Sequence, residues 1–425
     1  MGITIERADV VVIGAGAFGT SVAYHLAKLG RRNVVMVDTF EPGTQTSPRA
    51  AGLTSQVRST DTLTRLARRS VEKLERFEEE LGQPLRFDQS GALKIARTEE
   101  HVVQLRREVA RGRSLGLPID FISPDAAKDL CPVLHDDGIL AMTFNPTDCN
   151  VEPSQVPLGY WRAAEELGVT TLSHTTVTGI EIGDRGVRKV VTTRGDIETD
   201  TVVDAAGAWA RLVAELSGAR VPVVPTRHQL LITEPIDGVT PSMPIARVID
   251  ANVYIRHERG GLMLGGYEPN PKQYDMAALG PGFGIQDLDL DLDVLRGLAD
   301  SVRAQFPIFQ DVFASPEARI AEHRGGLPTM TIDDRYILGP VPGVRGFWLL
   351  TGCCVGGLST SPGLGEALAQ WIVDGEAPMD LSELGVERFA EHPLSDDELR
   401  AACRHAYANH YAANGGGGWT NAAAR

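Results

Sequence analysis

The segment Asp9-Val10-Val11-Val12-Ile13-Gly14-Ala15-Gly16-Ala17-Phe18-Gly19 narrows the possible folds of this chain more than any other stretch. Val10 to Ile13 form an unbroken apolar run suited to a strand buried on both faces. Phe18, Val22, Ala23, Leu26 and Ala27 then recur at helical spacing up to Gly30, a natural stop. Three glycines therefore fall between a strand and a helix. Gly14 permits a tight turn, Gly16 lets the backbone approach a pyrophosphate, and Gly19 allows the helix to pack closely on the strand. Free N–H groups at the helix start add partial positive charge. A second apolar run, Val34-Val35-Met36-Val37, ends in Asp38, whose carboxylate suits a ribose hydroxyl. These features predict a dinucleotide site, for which the motif accepts NAD or FAD equally.

At 425 residues the chain can bury a large core in two or three domains. Its net charge of −15 and pI near 5.2 exclude the electrostatic footprint of a nucleic-acid binder. Arg65, Arg68, Arg69, Lys73 and Arg76 cluster, but they alternate with glutamates as on a solvated helix face. The first strand begins within nine residues of the N-terminus and no signal-peptide pattern precedes it, so a cytoplasmic location is expected. From Gly346 to Gly365 no charge occurs, yet glycines and Pro362 break any membrane span, and backbone buried around a ligand fits better. The five cysteines show no Cys-x-x-Cys or metal spacing, so neither disulfides nor zinc are expected.

The periodicity predicts helices over 62–81, 99–115 and 361–374, and another around Leu158, Trp161, Ala164 and Leu167. Thr201-Val202-Val203-Asp204-Ala205-Ala206-Gly207-Ala208-Trp209 reads as a further buried strand that stops at small residues. From Val221 to about Phe313 the pattern changes to period two, as in Val253-Tyr254-Ile255-Arg256, which predicts an antiparallel sheet. The expected architecture is α/β (α+β overall), a Rossmann-like dinucleotide-binding domain with an inserted, mostly antiparallel substrate domain. The first would take 1–85, 146–220 and 322–400; the second, 86–145 and 221–321; a flexible tail would span 408–425.

With these segments in view, the chain resembles the FAD-dependent amine and amino-acid oxidoreductases: sarcosine and dimethylglycine dehydrogenases, sarcosine oxidase and glycine oxidase. The likeness runs from about Asp9 to Asp380. It rests on the glycine motif, on Val203 to Trp209, on Thr329-Met330-Thr331-Ile332-Asp333-Asp334-Arg335-Tyr336-Ile337-Leu338-Gly339-Pro340, and on the turn from Gly352 to Gly357. The resemblance implies FAD rather than NAD. It implies cofactor contacts from Gly14, Ala15, Gly16, Ala17, Phe18 and Gly19, from Asp38 and Thr39, and from Ser47, Arg49, Ala50, Ala51, Gly52 and Leu53. Val177, Ala206, Gly207, Trp209 and Gly326 would follow, and then Gly352, Cys354, Val355, Gly356, Gly357 and Leu358. A helix start near the flavin pyrimidine would stabilise anionic reduced flavin.

Several positions depart from the family pattern. Arg49 stands where the dehydrogenase branch often carries a flavin-linked histidine, and Gly326 where monomeric sarcosine oxidases carry a flavin-linked cysteine, so noncovalent FAD is expected. Arg49 either lies near the pyrophosphate or flavin, or faces solvent or a surface carboxylate. Met263 replaces the lysine that promotes oxygen reaction in sarcosine oxidases, which makes another electron acceptor plausible. Pro328 and Ser359 occupy the places of the usual carboxylate-binding cations. A substrate carboxylate would then need Arg58, or Arg256 together with Tyr254, unless that pair is merely the wet face of a strand. His228, beside Gln229, either contacts substrate or flavin or is a structural histidine. Gly326 and Cys354 are further candidates for the substrate wall.

The resemblance implies oxidation of the C–N bond of a small amine or N-alkyl amino acid, the imine product then hydrolysing. Alternatives are a D-amino acid, glycine, imino acid or 2-hydroxy acid as substrate, tailoring of a larger metabolite, or a flavin-bearing subunit that relays electrons within a homo- or hetero-oligomer. On that resemblance no folate-binding domain of the mammalian-type dimethylglycine dehydrogenases is expected, which would suit either a standalone enzyme or a subunit.

Overall fold

The computed structural model describes residues 5–280, 282–390 and 394–413. Two large sheets organise the chain. The first has six strands in the order Ile337–Pro340, Phe347–Thr351, Val202–Asp204, Val10–Ile13, Val34–Val37 and Thr170–Leu172. All its pairings are parallel except that between the first two. Val10, Val12, Val34 and Met36 enter one core, whereas Val11, Ile13, Val35 and Val37 enter another on the opposite face. Burial on both faces is why these strands read as unbroken apolar runs. Helix Ala17–Lys28 follows the first strand, and Gly30 stops it at φ +92°. It packs between helices Gln155–Glu166 and Gly357–Asp374, with the Ser21 hydroxyl donating to the Ser361 carbonyl at 2.8 Å.

The second sheet has eight strands in the order Ile320–Gly326, His228–Thr233, Gly261–Gly266, Val253–Glu258, Ile245–Val248, Ala92–Ala96, Ala141–Asn145 and Asp120–Ile122. It is antiparallel except where Ile245–Val248 runs parallel to Ala92–Ala96. Leu93, Ile95, Ala246, Val248, Val253 and Ile255 pack with Leu295, Leu298 and Phe309 from helices behind one face. The alternate residues Lys94, Arg247 and Tyr254 turn toward the other face and a cavity.

Two boundaries differ from expectation. Residues 322–326, expected with the cofactor domain, complete the edge strand Ile320–Gly326 of the eight-stranded sheet. The expected flexible tail begins too early: helices Asp396–Ala408 and His410–Ala413 are ordered, and Tyr407, His410 and Tyr411 are buried. Aromatic packing against the sheet outweighs the local glycine-rich signal. Residues 414–425 of that expected tail lie outside the described residues.

Candidate functional site

At the strand-to-helix turn, Gly14 has φ +103°, and a Cβ there would lie 2.4 Å from the Ala205 carbonyl oxygen. A Cβ on Gly19 would fall 1.8 Å from the oxygen of Gly14, so neither position accepts a side chain. Helix Ala17–Lys28 starts from Gly16 with no side-chain cap, and among the described residues only the Ala17 N–H is met from outside, by the Ser47 hydroxyl at 3.0 Å. Asp38 accepts the N–H groups of Ala15 at 2.6 Å and Phe40 at 2.7 Å, and burial raises the pKa of its carboxyl. A carboxylate has acceptor capacity beyond two bonds, which leaves Asp38 able to take a sugar hydroxyl. The adjoining cavity holds about 1110 Å³ of empty space, its mouth included. Thr39, Val177, Ala206, Gly207 and Trp209 line it together with Phe40, Thr44, Gln45, Thr175 and Thr176, which sequence reasoning missed.

A second cavity of about 1360 Å³, mouth included, shares Gly16, Thr46, Ser47, Ala205 and Gly207 with the first, so the two form one cleft. Arg49, Ala50, Ala51, Gly52 and Leu53 line it, as do Gly326, Val355, Gly356, Gly357 and Leu358. Helix Gly357–Asp374 also begins at a glycine with no side-chain cap, which gives the cleft a second partially positive helix start. Just before it, Cys354 and Val355 hold φ values of 42° and 63°, a left-handed pair that costs conformational energy in a valine especially. This turn places Cys353 rather than Cys354 on the cavity wall; Cys354 instead contacts the Thr331 hydroxyl at 3.3 Å. Burial pushes both thiols up, so they stay protonated. Gly352 is likewise off the wall, against Thr331. The Arg49 Nη1 donates to the carbonyls of Thr44 and Gln45, which fixes the loop between the cavities.

At the far end the phenol of Tyr254 lies 2.9 Å from Nε2 of His228, and the Tyr407 hydroxyl lies 2.8 Å from Nδ1. Burial and the nearby His410 lower the pKa of His228 to about 3, so its ring is neutral. Burial raises Tyr254 and Tyr407 as well. Tyr267 stacks on His410 with centroids 4.3 Å apart, and His410 Nδ1 is 2.8 Å from Asp334 Oδ2. His323 and Arg324 are engaged elsewhere, with Gln229 and with Glu322 and the Ala50 carbonyl.

The cations separate. Arg256 shares a strand with Tyr254 but does not line the cavity. Its guanidinium is 2.6 Å from Glu258 Oε2 and donates to the carbonyls of Ala51 and His257. The nearby carboxylate two residues along claims the side chain that the alternation aimed at a ligand. Arg58 does line the cavity, against Gly356, and no carboxylate lies within 4.0 Å of it among the described residues. Lys94, Arg247, Tyr267, His410 and Tyr411 also line the wall and were not read from sequence. The spacing of Tyr407, His410 and Tyr411, three and four apart, was the available signal for a buried aromatic cluster at this end of the described chain. Met263 is fully buried in the apolar cluster with Leu230 and Tyr254.

Two uncapped helix starts, a glycine turn that excludes side chains and an acidic residue along one continuous cleft fit a dinucleotide that carries an extended ring system. A family model described as DAO, FAD dependent oxidoreductase, matches residues 9–371. Over 394 residues the chain is 32% identical to mitochondrial dimethylglycine dehydrogenase of Rattus norvegicus, which covers 91% of this chain and 45% of that protein. It is 32% identical over 414 residues to mitochondrial sarcosine dehydrogenase of Mus musculus, covering 96% of this chain and 44% of that protein. The chain thus spans about half the length of these two relatives. Among solved structures it is similar to L-proline dehydrogenase from P. horikoshii, with TM-score 0.81 and 25% identity over 92% of this chain and 100% of that one.

Proposed function

The chain belongs to the FAD-dependent oxidoreductase family, and from that premise we propose that it oxidises the C–N bond of an amine or N-alkyl amino acid with FAD held noncovalently. The observation that carries the reading is the continuous cleft, which leads from the carboxylate of Asp38 to the neutral Tyr254–His228–Tyr407 chain. Bound FAD supplies a two-electron acceptor for substrate oxidation. Gly14, Gly16 and the start of helix Ala17–Lys28 would hold its pyrophosphate, Asp38 its ribose, and the start of helix Gly357–Asp374 its ring system.

The protein's own residues orient and desolvate the substrate. If Tyr407 donates to Nδ1 of His228, then Nε2–H donates to the Tyr254 oxygen and leaves the Tyr254 O–H to point at a substrate amine lone pair. A neutral amine is the form that can lose hydride from its neighbouring carbon, and the site holds it without a charged base. The resulting iminium takes up water and releases an aldehyde or keto acid plus the shorter amine. Arg49 and Gly326 offer no nucleophile for a flavin bond at the two positions where tethered relatives carry one. Met263 brings no ammonium to stabilise reduced-oxygen charge, so an acceptor other than oxygen is part of the proposal.

Denaturing the purified protein and following anaerobic flavin bleaching test both statements. Yellow supernatant and bleaching by an N-alkyl amino acid are expected. Flavin retained on the denatured chain would reject noncovalent binding, and no bleaching by any amine would reject the reaction.

A further inference from the structure

We propose that Arg247 is the anchor for the substrate's carboxylate, so that the enzyme's substrates are amines that carry a free carboxylate group. The inference rests on the reading above only in taking the ligand of this cavity to be the substrate.

The cavity wall carries four basic side chains, Arg49, Arg58, Lys94 and Arg247, and no Asp or Glu. Two of the four have their charge or donors engaged. Lys94 Nζ lies 2.5 Å from Glu108 Oε2, and Arg49 is spent on the carbonyls of Thr44 and Gln45. For Arg58 and Arg247 no carboxylate lies within 4.0 Å among the described residues. Arg58 packs against Gly356 at the start of helix Gly357–Asp374, the end of the cleft suited to the flavin ring, where a cation complements an anionic reduced ring. Arg247 remains.

Arg247 is 4% exposed, and its Nη2 donates to the Thr54 carbonyl at 2.5 Å. Its Nη1 is buried without a well-aligned hydrogen bond among the described residues, although the Tyr411 hydroxyl interacts with the guanidinium as a hydrogen-bond partner. A buried guanidinium with no carboxylate within 4.0 Å is costly, and a carboxylate is its natural complement. Position supports the same assignment. Arg247 pairs with Tyr254 on one neighbouring strand and with Lys94 on the other, so the three side chains stand in a row on the cavity face of the sheet. Arg247 and Tyr254 therefore share the cavity face on neighbouring strands, with the phenol leaning the other way across Gly265. One ligand with an amine and a carboxylate can meet both. Tyr411, which also lines this cavity, interacts with the Arg247 charge and has a hydroxyl pKa pushed up to about 12 by burial.

The test titrates the oxidised holoprotein with propionate and with propionamide and follows the perturbation of flavin absorbance. Wild type should bind propionate at least about tenfold more tightly than propionamide, and Arg247→Gln should weaken propionate binding about 10- to 100-fold while leaving propionamide unchanged. Arg247→Lys should keep part of the preference. Equal binding of the two probes by wild type, or an unchanged propionate affinity in Arg247→Gln, would overturn the proposal. If Arg247→Gln fails to retain FAD, Arg247→Lys decides: a preference as strong as that of wild type would overturn the assignment. Because no turnover is involved, a protein that binds propionate through Arg247 but is bleached by no amine would reject the amine reaction and keep the anchor.

Discussion

The Tyr254 hydroxyl reaches His228 by lying across Gly265, its partner on the neighbouring strand, where a Cβ would sit 2.3 Å from that oxygen. Gly265→Ala should push the phenol off His228 and lower kcat/KM about 10- to 100-fold with FAD content retained. Steady-state kinetics and flavin absorbance on the same preparation check it; unchanged kcat/KM would sever Tyr254 from the reaction.

Tyr407 holds the other nitrogen of the same ring. Tyr407→Phe leaves a buried imidazole nitrogen without its partner, so a loss of about 1–3 kcal/mol in stability is expected, with reduced turnover. Denaturant titration measures the first and stopped-flow reduction the second. Tyr407→Phe with wild-type stability and rate would show that the orientation of His228 is set elsewhere.

The two histidines held at about pKa 3, His25 and His228, predict how stability follows acidity. Both are buried neutral, so the unfolded chain binds more protons than the folded one below pH 6.5. Their stability contribution is full above that value and is lost as pH falls toward 3, by about 1.4 kcal/mol per unit for each. Unfolding free energies measured from pH 6.5 down to 4.5 should therefore fall steeply. In the same range kcat should show no step from His228, because its ring does not titrate there while folded.

Glu258 lies between Arg86 and Arg256, which lower its pKa to about 2. Glu258→Ala would strand the buried Arg256 charge and should cost about 3–5 kcal/mol, read by denaturant titration. A near-neutral effect would mean that Arg256 has another anion and would return it to the list of substrate contacts.

The cofactor end was legible because backbone proximity restricts residue type: Gly14 and Gly19 admit no Cβ, and the sheet they join is apolar on both faces. The substrate end was less legible because it arises from contacts between distant strands. Arg247 lies in Ile245-Ala246-Arg247-Val248, which carries no motif, and gains its meaning from Tyr254 and Lys94 on either side. Arg256 followed the right alternation, but Glu258 claims it. At the late turn, left-handed Cys354 and Val355 exchange which of two adjacent cysteines faces the cavity, a rotation that composition does not encode. The glycine-rich composition from 415 to 418 obscures the buried aromatic spacing of Tyr407, His410 and Tyr411 just before it.

The parallel pairing of Ala92–Ala96 with Ile245–Val248 has a kinetic consequence. It joins strands separated by roughly 150 residues, and closing so long a loop must precede any reward from the contacts it makes. The Val10 to Val37 unit needs only a local crossover and can form early. The row Lys94–Arg247–Tyr254 exists only after the long closure, so during refolding the local Val10 to Val37 unit should form before the capacity to recognise an acid.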